Sequence, residues 1–174
     1  MINEKLITYL HSVYPELPID TNFIKGYSDD ELAKIERLYD IKVTDQLYDF
    51  LRCMGRCSGG LFGDVPLLFY RDQWSVRGHI LFQAGFTDQL KKLQHYELTK
   101  QKPFFISIEW ETQFYFLLTK SDNPNLVYHY DENEETVETT QWTFNEYLRK
   151  SIDLDTRNYK IQVTPEQYGE LINI

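Results

Sequence analysis

Two cysteines in a chain of 174 residues are too few for a disulfide framework, so a reducing cytoplasm is the expected setting. No apolar run approaches the roughly 20 residues that a membrane-spanning helix needs. The longest, such as Phe114–Leu118, are a fraction of that length. The opening residues Met1-Ile2-Asn3-Glu4-Lys5-Leu6 lack the basic-then-apolar pattern of a signal peptide, so neither export nor anchoring is expected. Cationic residues are scarce, with 18 Lys and Arg against 27 Asp and Glu and a net charge of −9. Such a surface repels phosphate backbones and anionic lipid, which excludes nucleic acid and membranes as expected partners. A basic protein remains, because opposite charge speeds encounter and suppresses wrong partners. No Pro/Gly/Ser linker divides the chain, and a length within about 100–200 residues fits one domain over 1–174.

Aromatic residues are plentiful. They make up 16% of the chain, including 13 Tyr and 11 Phe, so much of the core should be ring packing.

The spacing predicts a first helix near Asn3–Tyr14, ended by Pro15 and Pro18. Ser28 and Glu31 form a capping box, and Leu32, Ile35, Leu38 and Tyr39 follow at helical spacing. Thr44 is placed to cap another helix with Leu47, Phe50, Leu51 and Met54 on one face and Gly55 at its end. Residues 56–66 read as a loop, and Leu67–Tyr70 as a short strand. Trp74–Ala84 fits strand or helix, and Thr87–Tyr96 reads as a helix with Leu90 and Leu93 inward. The period then changes. Phe104–Glu109, Gln113–Thr119 and Leu126–Asp131 are strand candidates, with Glu135–Gln141 as a fourth. Phe114–Leu118 is apolar on both faces, which suits a central strand covered on both sides, and period alone equally allows a short buried helix. Thr143 and Glu146 form a second capping box before Phe144, Tyr147, Leu148 and Ile152. Tyr159–Val163 is a last strand candidate, and Thr164, Pro165 and Gln167 start a terminal helix. The expected fold is therefore α+β: one mainly antiparallel central sheet of about four to six strands, with N-terminal and C-terminal helices packed on it.

Three pieces of the chain resemble the SUKH superfamily. The first is Ser28-Asp29-Asp30-Glu31-Leu32 with Ile35-Glu36, followed by Ile41 to Leu51 and Gly55: an acidic capped helix, a short link, and a helix ending in Phe-Leu before a glycine. Many members have Leu-Pro in the link, where this chain has Val43-Thr44. The second is the aromatic hairpin Ile108 to Phe116. The third is Asn123-Pro124-Asn125-Leu126-Val127-Tyr128 with Trp142-Thr143-Phe144-Asn145-Glu146-Tyr147-Leu148. The matched pieces span about residues 28–150, most of a domain, and 71–103 match nothing in the pattern. The resemblance implies a non-catalytic binding domain. Many bacterial members resemble immunity proteins that neutralise polymorphic toxins, whereas fungal members regulate cell-wall glucan synthesis. A single bacterial-sized domain points to the first group, with a cognate toxin domain as partner and a regulatory scaffold as the alternative.

Other constellations carry less. Cys53 and Cys57 lack the second pair a zinc site needs, and read as core or loop thiols. Gly59-Gly60 and Gly63 lack the Lys-Ser/Thr of a phosphate loop. His129 and Asp131 share one strand face, which is either a polar face or the acid–base pair of a small hydrolase. His11, His79 and His95 stand in no motif, and Glu109 and Glu111 flank Trp110 at a hairpin tip. No catalytic set, metal or cofactor is expected. Residues 121–146 carry Asp122, Asp131, Glu132, Glu134, Glu135, Glu138 and Glu146 with no Lys or Arg. That stretch is either a solvated face or a surface for a basic partner. The candidate contact residues are Trp74 and Arg77, of types enriched at binding hot spots, with Asp131, Glu132, Glu134, Glu135 and Glu138. Arg71 lies beside the first two.

Overall fold

A computed structural model describes residues 21–59, 61–62, 67–70, 75–158 and 170–172, together with Glu4, Lys5 and Thr8. The expected first helix lies mostly outside these residues, although Glu4, Lys5 and Thr8 are helical. The expected strand Tyr159–Val163 and the terminal helix after Thr164 lie outside them entirely.

The described chain is α+β. Strand β1 (Ile24–Lys25) leads to α1 (Asp29–Tyr39) and α2 (Asp45–Met54), then β2 (Cys57–Ser58). Helices α3 (Val76–Lys92) and α4 (Tyr96–Lys100) precede β3 (Pro103–Glu109), β4 (Gln113–Leu118), β5 (Leu126–Asp131) and β6 (Thr136–Thr143). Helix α5 (Phe144–Asn158) follows. Strands β3 to β6 form one antiparallel sheet in chain order, while β1 pairs with β2 alone.

Both capping boxes form. The Glu31 amide donates to Ser28 Oγ, and the Ser28 amide donates to Glu31 Oε2 at 2.8 Å. Thr143 and Glu146 exchange the same bonds at the start of α5. Thr44 occupies the cap position of α2, but its side chain makes no cap bond. The exposed helix end is served from elsewhere: the Gln46 amide donates to Asn125 Oδ1 at 3.1 Å, while the Gln46 side chain serves the start of α5, its Oε1 accepting from the Asn145 amide at 2.8 Å. These two bonds tie α2 to the β4–β5 loop and to α5, so a tertiary contact replaces the local cap.

Three elements differ from the sequence reading. The loop over 56–66 contains β2, whose Ser58 and Cys57 pair with Ile24 and Lys25. Leu68–Tyr70 is a 3-10 turn rather than a strand, with only Leu67 bridging Ser107 of β3. A run of four apolar residues fits both periods, and the Tyr70 amide turns back on Leu67 O at 3.4 Å, the i to i+3 bond of a 3-10 turn. Residues 76–92 form one helix, so the helix expected over Thr87–Tyr96 is its second half, with α4 beginning at Tyr96.

The sheet has two buried faces. One carries Phe104, Ile106, Tyr115, Leu117 and Val127 against α1, α2, α5 and Leu171. The other carries Phe105, Phe114, Phe116, Leu118 and Tyr130 against Leu90, Phe82 and Phe86 of α3. Strand β4 lies between β3 and β5, and its last five residues are buried, which is why its sequence does not alternate. Arg56 fastens the end of the chain. It lies 4.5 Å over the Tyr27 ring and pairs with Glu31 at 2.6 Å and with Glu170. The Tyr27 and Tyr39 hydroxyls hold the backbone of Leu171.

Candidate functional site

The β3–β4 and β5–β6 hairpins end side by side, and this end of the sheet gathers the charged and aromatic groups. A bulge in β3 sets the geometry. Phe105 pairs with Phe116 and Ser107 with Tyr115, so Ile106 is the extra residue. The shift turns Ser107 and Glu109, rather than Ile108, toward α5. The Tyr147 hydroxyl donates to Glu109 Oε1 at 2.9 Å. A tyrosine has one such proton, so Ser107 is the donor in its own short bond to Tyr147. Burial first, and then the Glu109 charge, hold the Tyr147 hydroxyl well above its ordinary range.

Next to them on β4 and β5, His129 stacks on Tyr115 with ring centres 4.9 Å apart. Its Nε2 lies 2.6 Å from Gln113 Oε1, which can only accept. Its Nδ1 lies 3.2 Å from Glu138 Oε1, a contact completed when the ring is charged. His129 and Asp131 share the face, as the alternation requires, but the groups that take the imidazole nitrogens are Gln113 and Glu138. Asp131 is instead bonded by Gln113 and shapes its own hairpin, accepting from the Asn133 amide at 2.8 Å and the Glu134 amide at 3.3 Å.

The two tips are joined. The Glu132 amide donates to Thr112 O at 3.0 Å, and Asn133 Nδ2 donates to Thr112 Oγ1 at 2.9 Å. Trp110 stands on this joined edge, 89% exposed, the most exposed large hydrophobic side chain among the described residues. It and Glu111 both have left-handed backbones, φ 52° and 64°. A bulky side chain rarely occupies that region, at a cost of about 1–3 kcal/mol where it does. The two joined tips also carry Glu111, Glu132, Glu134 and Glu135, all exposed, and no Lys or Arg occurs between Pro103 and Thr119 or between residues 121 and 146. Of the contact residues expected from sequence, Asp131, Glu132, Glu134, Glu135 and Glu138 are thus brought together. Arg77 is exposed on α3, which covers the opposite sheet face, and Trp74 lies outside the described residues, as does Arg71. Trp110 went unselected in the sequence reading, although its acidic flanks and hairpin position were visible there.

Elsewhere, a cleft of about 390 Å³ lies between the end of α1, α3 and the start of β3, lined by Tyr39, Gln83, Thr87, Lys91 and Lys102 among others. Its three lysines are paired, Lys91 with Asp88, Lys100 with Glu97 and Lys102 with Asp40, and both ends of the Gln83 amide bond the backbone of Phe105. Cys53 and Cys57 are buried free thiols. Among the described residues no group of His, Cys, Asp and Glu is placed to hold a metal, and no helix is long and apolar enough to cross a membrane.

The Asp131 turn gives a prediction. Its bond from Gln113, together with the two amides, lowers its carboxyl below the usual range near about 3.9. A depressed carboxylate stabilises the fold above its unfolded pKa, and that contribution is lost as pH falls through the folded value. Acidification below about pH 4 should therefore loosen the joined tips. Amide resonances of Asn133 and Glu134 should report this, and Asp131→Asn should remove their acid-dependent shifts.

Compared with protein-family models, with curated proteins and with solved structures, the chain matches none of them.

Proposed function

We propose that this chain is a non-catalytic protein-binding domain of the cytoplasm, acting as an immunity protein that covers a basic cognate toxin domain with the joined hairpin end. The observation that carries the reading is Trp110, an exposed indole on a hairpin tip between Glu109 and Glu111. Tryptophan is enriched among residues that dominate binding energy, and it needs a pocket on the partner to fill. The surrounding carboxylates steer a cationic partner and repel nucleic acid. The SUKH resemblance supports the choice of a toxin as that partner. Its pieces fall on α1 and α2, on the β3–β4 hairpin, and on β5 with α5.

The test is co-expression with a basic toxin domain encoded beside it. A complex and rescued growth are expected, with binding that weakens as salt screens the acidic end. Trp110→Ala should weaken the complex by about tenfold to a hundredfold, the range of a central aromatic anchor. Neither complex nor rescue would count strongly against an immunity role, and undiminished binding by Trp110→Ala would move the contact surface elsewhere.

A further inference from the structure

Behind the Trp110 hairpin, three rings and a carboxylate surround a positive charge that the chain itself supplies. The Lys150 ammonium lies 4.7 Å from the Trp142 ring centre, 5.3 Å from Tyr115 and 5.5 Å from Tyr147. Glu109, the residue before Trp110, closes the recess, with Tyr147 donating to the same oxygen that faces Lys150. Faces of aromatic rings attract cations electrostatically, so β3, β4, β6 and α5 together build a cation site, and Lys150 shows where the charge sits.

Lys150 is a weak occupant of this site. Its bond to Glu109 is 3.4 Å long, beyond the usual range for a charged pair. The face is also under-neutralised: Glu109, Glu138 and Asp131 stand against one ammonium, with His129 between Gln113 and Glu138. The Tyr115 hydroxyl registers this field, pushed up to about 12 by burial and then by Glu109 and Glu138. A guanidinium suits the recess better than an ammonium. It is planar, stacks on rings, and meets a carboxylate through two parallel N–H bonds. The way in is open, since the Lys150 side chain is 26% exposed and its stem is flexible.

We propose that the recess of Tyr115, Trp142, Tyr147 and Glu109 seats an arginine side chain of the partner, and that Lys150 holds the place in the free protein. The proposal rests on the protein-binding reading for the source of the arginine, whereas the recess can be tested without any partner.

The probe is N-acetyl-arginine amide, with N-acetyl-citrulline amide as the uncharged control, titrated into the full chain and followed by NMR at the Trp142 indole N–H and Lys150 Cε. In the wild type, arginine should move both signals and citrulline neither. Lys150→Ala, which empties the recess, should bind arginine at least tenfold more tightly, and adding Glu109→Gln should abolish that gain. Lys150→Met keeps the stem and serves if the alanine variant does not fold. A folded Lys150→Ala or Lys150→Met chain that ignores arginine, or answers citrulline equally, overturns the proposal. So does failure of both variants to fold, which makes Lys150 a structural lysine. Arginine binding without a toxin complex would sink the immunity reading and leave this one standing.

Discussion

Gly26→Ala should cost about 3 kcal/mol or more, a large share of the roughly 5–15 kcal/mol that holds an ordinary domain folded. A Cβ at this position would lie 1.9 Å from the Arg52 carbonyl oxygen and 2.4 Å from its carbon. Both are backbone atoms in the last turn of α2, so no side chain can swing away. The neighbouring bonds fix the approach from both sides. The Tyr27 amide donates to Leu51 O and the Arg56 amide to Lys25 O, each at 2.9 Å, and Arg52 donates to Tyr27 O at 3.0 Å. Relief of the clash must break some of these and lift β1 from α2, taking the buried Tyr27 ring with it. Gly85→Ala is the matching control. A Cβ there meets nothing within 4 Å in the middle of α3. That variant should gain about 0.5–1 kcal/mol from helix propensity. Urea midpoints of the two variants should therefore move in opposite directions. An unchanged midpoint for Gly26→Ala would mean that β1 does not lie against α2.

How far the sequence leads depends on whether a feature is local. Ser28–Glu31 and Thr143–Glu146 announce their helices because each box is complete within four residues, and the strands from Phe104 onward are legible as short apolar runs set off by turn residues. The cap of α2 is not legible, because its acceptor, Asn125 Oδ1, lies far along the chain from Gln46. Strand β2 is too short to show a period, and it exists through its pairing with β1. The site divides in the same way. Five acidic positions could be read from one stretch of chain, since a run of like charge is a sequence property. The Lys150 recess draws on four elements and on the β3 bulge that turns Glu109 toward α5, and a bulge leaves no periodic trace. Trp110 was legible as a hairpin residue. Its exposure was not, because a tryptophan in an aromatic-rich chain is ordinarily core.

That contrast between buried and presented rings makes the second large effect a test of function as well as of folding. Phe50 is fully buried and packs against four rings: Phe69 at 5.0 Å, Phe144 at 5.3 Å, Phe62 at 6.1 Å and Tyr70 at 6.3 Å. These rings belong to α2, the 3-10 turn, the segment after β2 and the start of α5, so one side chain joins elements distant in sequence. Phe50→Ala removes the ring and leaves a cavity whose walls are held by separate elements, and it should cost about 3–5 kcal/mol. Trp110→Ala removes a larger ring but one already in water, and should change stability by less than about 0.5 kcal/mol. If Trp110 served the fold, the two variants would lose stability together. If it serves a partner, Phe50→Ala should lower the urea midpoint with binding intact in the folded fraction, and Trp110→Ala should keep the midpoint and lose affinity. A stability loss above about 1 kcal/mol for Trp110→Ala would place its ring in intramolecular packing and remove the observation on which the protein-binding reading chiefly stands.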